Sequence, residues 1–130
     1  LGTNLDKTGD HQGAIAALSD AWRLGTHYPY RFDIAMDLGY AHYMDENDEA
    51  ALQWGRQSLR LHESFLQNRL LMTATCARLG LDAEAEAHAA AVLAIRPGFS
   101  CARFAERFGY VDVEDRVRFV EGLRLAGLPD

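Results

Sequence analysis

Asp48-Glu49-Ala50-Ala51-Leu52-Gln53-Trp54-Gly55-Arg56-Gln57-Ser58-Leu59-Arg60-Leu61 has a counterpart 34 residues later in Asp82-Ala83-Glu84-Ala85-Glu86-Ala87-His88-Ala89-Ala90-Ala91-Val92-Leu93-Ala94-Ile95. An acid opens each stretch, Ala51 falls on Ala85, Leu59 on Leu93 and Leu61 on Ile95. Apolar residues recur at three- and four-residue steps, which is the spacing that gives a helix one apolar stripe. The same offset carries outward: Leu38 falls on Met72, Phe65 on Phe99 and Glu63 on Pro97. A fixed period of this length marks an array of small helical units, and it decides the fold before any single motif does.

A partial unit precedes these at an offset of 37, with Ala14-Ile15 on Ala51-Leu52, Ala21-Trp22 on Ser58-Leu59 and Leu24 on Leu61. The three extra residues fall in Gly25-Thr26-His27-Tyr28-Pro29, a loop by its Gly and Pro. Helices are expected near 12–24, 30–44, 48–61, 65–79, 82–95, 99–108 and 113–126. Asp10, Asp48 and Asp82 stand at helix starts, where a carboxylate meets free N–H groups and the positive end of the helix dipole. Gly80 and Pro97 stand where helices stop. Helices this short, joined by a few residues, must run antiparallel to their neighbours, and a single pair cannot hide its own apolar stripe. The expected fold is therefore all-α: antiparallel hairpins stacked as a right-handed superhelix. It is one domain, with a partial repeat at about 1–29, repeats at about 30–64 and 65–98, and a C-terminal cap at about 99–130.

The 34-residue period and its residue types resemble the tetratricopeptide (TPR) family. The family's large–small pairing in the first helix has counterparts in Leu38-Gly39 with His42, and in Met72-Thr73 with Cys76. The second helix has Ala51 with Ser58-Leu59, and Ala85 with Val92-Leu93 and Pro97. His42 stands where the family has an aromatic, Gly55 and Ala89 replace larger residues, and Glu63 replaces the closing Pro. A narrower resemblance runs through Tyr40-Ala41-His42-Tyr43, Asp48–Trp54, Pro97–Phe104 and Gly122–Asp130. It is to the C-terminal TPR region of bacterial class III adenylate/guanylate cyclase-like signalling proteins, with relatives behind winged-helix domains. This resemblance implies a cytoplasmic regulatory module in a longer chain, with any catalytic domain lying before Leu1. The start Leu1-Gly2-Thr3-Asn4, without initiator Met or leader pattern, agrees with that expectation.

Composition narrows the function. The 130 residues are 48% hydrophobic and 25% charged, ordinary for a globular domain with a real core. Net charge is −6, and an acidic surface repels phosphate backbones, so nucleic acid is not an expected ligand. No apolar run is long enough to span a membrane. Cys76 and Cys101 have no CxxC spacing and read as small buried thiols, with a disulfide between them as the alternative. The five histidines offer no His pair at i, i+4 and no HExxH, and no phosphate loop or nucleophile elbow occurs, so neither cofactor nor metal nor catalytic residue is assigned.

Two surfaces remain as candidate contact sites. Met36, Tyr40 and Tyr43, flanked by Asp33 and Asp37, form one stripe that either lines a concave protein- or peptide-binding groove or packs between repeats. In the next unit the corresponding side is Gln67, Leu70, Ala74 and Arg78. Tyr offers large contact area with a polar tip at low entropic cost, which suits recognition. In the last helix, Val113, Val117 and Val120 form a stripe that either caps the core or pairs two copies as a homodimer. A small ligand held in the Tyr-rich groove is the alternative to a protein partner.

Overall fold

The computed structural model of the chain describes residues 11–24, 31–62, 65–107 and 113–130. Among these the protein has seven helices and no strand: α1 His11–Leu24, α2 Arg31–Met44, α3 Asp48–Leu61, α4 Leu66–Arg78, α5 Asp82–Ile95, α6 Cys101–Arg107 and α7 Val113–Leu125. The expected bounds hold to within one or two residues. The expected helix start at Asp10 and the loop at 25–29 lie outside the described residues.

Local chemistry sets the ends. Asn47, rather than Asp48, caps α3: its side chain accepts a hydrogen bond from the Ala50 N–H at 3.3 Å, while Asp48 and Glu49 occupy the first turn. Gly80 takes a positive φ of 76° beyond α4, the conformation that closes a helix cheaply only for glycine. The Ser100 hydroxyl accepts from the Arg103 N–H, so α6 begins at Cys101 and not at 99 as the sequence suggested.

The hairpins α2–α3 and α4–α5 pack tightly, and α3 packs on α4. Their buried positions repeat at the sequence period. Ala51, Gly55 and Ser58 are buried in α3, and Ala85, Ala89 and Val92, each 34 residues on, are buried in α5. Close approach is built in at Gly39: a Cβ there would lie 2.5 Å from Leu71 Cδ2 and 3.4 Å from the Ala51 carbonyl oxygen. The α1 helix joins the stack through Ala14, Leu18, Leu38 and Ala41, and the Trp22 and Trp54 rings meet edge to face 5.1 Å apart.

The C-terminal part folds back on this stack. Phe119, Val120 and Leu123 of α7 enter a shared core with Tyr43, Met44, Leu70, Leu71 and Ala74. The tail then returns to the start of α6: the Cys101 N–H donates to the Pro129 carbonyl oxygen at 2.8 Å, and the Ser100 hydroxyl donates to that of Asp130 at 3.1 Å. Pro97–Phe104 and Gly122–Asp130, distant in sequence, are thus one contact region. Both cysteines are buried free thiols.

Candidate functional site

The stripe singled out in α2 is largely core. Tyr43 is fully buried, as are Leu70 and Ala74, and Met36 is nearly so. The physical reason is α7. Its Gly122 lies against Ala74, where a Cβ would sit 3.1 Å from the Ala74 Cβ and 3.1 Å from the Tyr43 hydroxyl oxygen. Tyr43 stacks edge to face on Phe119 with centroids 5.1 Å apart, and its hydroxyl donates to the Arg118 carbonyl oxygen at 3.3 Å. Burial pushes the Tyr43 phenol well above its ordinary range, with Arg78 and Arg118 opposing that shift, so it stays neutral.

Tyr40 is half-buried; its ring lies 5.4 Å from that of Phe119, and its hydroxyl donates to the Gln67 carbonyl oxygen at 2.5 Å. Asp37 is half-buried, and Gln67 and Arg78 are exposed. Arg78 pairs with Asp48 at 3.3 Å, and its guanidinium lies 5.6 Å from the Tyr43 ring centroid. The side chain of Asp33 lies outside the described residues. The structure therefore brings Tyr40, Tyr43, Leu70 and Ala74 together beneath α7 rather than along an open groove.

The α7 stripe divides in two. Val120 is buried, as the core-capping alternative has it and not the pairing face: it sits on the arc of α7 that also carries Phe119 and Leu123. Val113 is 60% exposed, Val117 47% and Leu125 71%. They lie on the opposite arc with Glu114, Glu121 and Arg124.

A third cluster is one that the sequence did not single out. Cys76 of α4 and Glu84 and His88 of α5 place a sulfur, a carboxylate oxygen and a ring nitrogen all within 4.8 Å of one another. Arg56 of α3 holds the Glu84 carboxylate at 2.8 and 3.1 Å, and His88 Nε2 is 3.6 Å from Glu84 Oε2. Arg69 Nη1 stands 3.1 Å from His88 Nδ1. Burial pushes the Cys76 thiol up to about 12, helped by the charge of Glu84. Burial, and then the charge of Arg69, hold His88 below its usual range. For Glu84, burial favours the neutral acid, but Arg56 and then His88 outweigh it and hold the carboxyl low. The signal was present: Glu84 and His88 are four apart on one helix, the spacing that aligns two side chains on one face. A search for His–His pairs passes over a Glu–His pair.

An open pocket of about 210 Å³ lies between the end of α5 and α6, lined by Arg96, Gly98, Phe99, Ser100, Arg103 and Phe104. Among the described residues no helix is long and apolar enough to cross a membrane. Comparison with protein-family models, with curated proteins and with solved structures gives no match for this chain.

Proposed function

We propose that this chain is a non-catalytic protein–protein interaction scaffold of the TPR type: a right-handed stack of hairpins closed by a C-terminal helix, whose outward arc makes the contact. The recurrence of buried positions at 34 residues supports the repeat reading. The observation that carries the functional reading is the exposure of Val113 and Val117, one turn apart on a helix whose other side is committed to the core.

The partner that this arc fits is a second copy. In an antiparallel two-fold pairing centred near residue 119, Val113 of one copy lies opposite Leu125 of the other, and Glu114 opposite Arg124. Such self-complementarity is what an isologous interface requires. Sedimentation of the wild type across concentration, beside Val113→Asp/Val117→Asp, tests this. A concentration-dependent dimer that the double variant abolishes without loss of helicity is the expected result. A wild type that stays monomeric throughout contradicts it.

The resemblance of Tyr40–Tyr43, Asp48–Trp54 and the paired tail segments supports a place for the module at the C-terminal end of a longer bacterial cytoplasmic signalling protein of the cyclase-like kind. The gene sequence before Leu1 decides between that and a winged-helix regulator. A second reading, a small-ligand sensor, is favoured by the pocket with Arg96 and Arg103 beside Phe99 and Phe104, a set suited to an aromatic or apolar carboxylate. Ligands of that class must raise the melting temperature if it holds.

A further inference from the structure

We propose that Cys76, Glu84 and His88 form a Zn²⁺ site that staples α4 to α5, with a water completing a four-coordinate shell. One sulfur, one nitrogen and one oxygen donor make the mixed set that suits zinc among divalent ions. Zinc bonds of about 2.0–2.3 Å in a tetrahedron put ligand atoms roughly 3.3–3.8 Å apart. The separation of 3.6 Å between His88 Nε2 and Glu84 Oε2 already meets that, and the whole trio needs only side-chain rotation to close from within 4.8 Å.

The support is rigid. Two ligands come from successive turns of α5, and the third from the last turns of α4, across a hairpin closed by Gly80. Cys76 and His88 are buried, and Glu84 lies toward the solvent side, where the water position belongs. Cys76 and His88, held by packing, lose little entropy when the ion binds.

The charges balance. Without metal the trio carries one negative charge, that of Glu84, with a neutral thiol and imidazole. Binding of Zn²⁺ forms the S–Zn bond as the thiol S–H bond breaks and its proton leaves to solvent, so thiolate and carboxylate together neutralise the ion. Coordination through Nε2 moves the ring proton to Nδ1, where Arg69 now sits, so Arg69 must turn away. Arg56 shares Glu84 with the ion or yields it; its side chain is 45% exposed and has room to swing. These two guanidinium groups are the opposing charges facing the site, and they weaken affinity without closing the site.

Cobalt(II) titration of the full 130-residue chain at neutral pH, with reductant, tests the proposal, because thiolate ligation gives a near-ultraviolet charge-transfer band. The wild type should show that band, and Zn²⁺ should displace it. Cys76→Ser, checked for native helicity by circular dichroism, should abolish it. His88→Gln should weaken binding roughly tenfold or more, and Cys101→Ser should leave it unchanged. Arg69→Gln, which puts an acceptor beside Nδ1, should tighten binding. No band in the wild type at excess cobalt, or a band that survives in Cys76→Ser, overturns the site and leaves a hydrogen-bonded network in its place.

Discussion

Tyr43 of α2 and Phe119 of α7 meet edge to face, with ring centroids 5.1 Å apart and planes at 74°, although 75 residues separate Tyr43 from the Arg118 carbonyl oxygen that its hydroxyl reaches. This contact fastens the last helix onto α2. It also turns the tyrosine stripe from a recognition surface into core, and moves the outward-facing apolar residues to the far side of α7.

Truncating either ring should be costly, because both are fully buried. Tyr43→Ala and Phe119→Ala should each lose about 3–5 kcal/mol of unfolding free energy. Tyr43→Phe, which removes only the hydroxyl, should lose about 1 kcal/mol. Urea unfolding followed by circular dichroism measures both. A loss below about 1 kcal/mol for the alanine variants would mean the two helices are not packed as described.

Arg118 reciprocates the Tyr43 contact. Its guanidinium donates to the Met44 carbonyl oxygen at 2.9 Å and to that of Tyr43 at 3.4 Å, and pairs with the buried Asp115 at 3.2 Å. The Tyr43 carbonyl also accepts from the Glu46 N–H at 3.0 Å in the turn that ends α2, whereas the Met44 carbonyl takes its hydrogen bond from Arg118. Arg118→Met should keep much of the side-chain volume yet lose about 1–3 kcal/mol, since it takes a charged donor away from the buried Asp115 carboxylate and from the Met44 carbonyl. Adding Asp115→Asn should recover part of that loss. No recovery in the double variant would show that the loss does not arise from the Asp115 charge.

Gly39 tests how closely α2 packs on α3 and α4. Gly39→Ala forces a methyl group to within 2.5 Å of Leu71 Cδ2 and should destabilise by about 1–3 kcal/mol. A Cβ added at Gly98 would meet nothing within 4 Å, and the φ there is ordinary. Gly98→Ala therefore serves as the control and should change stability by less than about 0.5 kcal/mol. Equal effects at both sites would contradict the packing.

His42 makes stability depend on pH. Burial holds its imidazole below the ordinary value of 6.5, with the nearby Asp45 opposing, and its Nδ1 is buried without a hydrogen-bond partner. The unfolded chain therefore takes up the proton first as pH falls. The stability contributed by the neutral ring is present above 6.5 and is lost as pH drops through the lower folded value. Unfolding free energy should decline over this acidic window in the wild type. It should decline less in His42→Phe, which keeps an aromatic ring at this position and removes the titrating nitrogen. Identical pH slopes would remove His42 as a source of the dependence.

Helix positions were legible because the apolar spacing of 34-residue units, with Asp, Gly and Pro at their ends, leaves few other arrangements. The cap at Asn47 was not legible, because it lies one residue outside the helix and the adjacent Asp48 looks equally suited. Whether Tyr43 lines a groove or fills a core was not legible either: the pattern places it on one face of α2, but only the return of α7 determines what that face meets. Val120 was left between core and pairing face for a related reason. It is three residues from Val117, and the edge between the buried and exposed arcs passes between them. The Cys76, Glu84 and His88 cluster depends on how α4 and α5 are registered across Gly80, and sequence separation hides that.

Hydrogen exchange across α7 probes the placement of the last helix without any substitution. If that helix is part of the core, the amides of residues 119–123 should be protected as strongly as those of 70–76 in α4, and Tyr43→Ala should weaken both. Exchange in 119–123 as fast as in an isolated helix, while α2–α5 stay protected, would mean that α7 lies off the stack and that the tyrosine face is open after all.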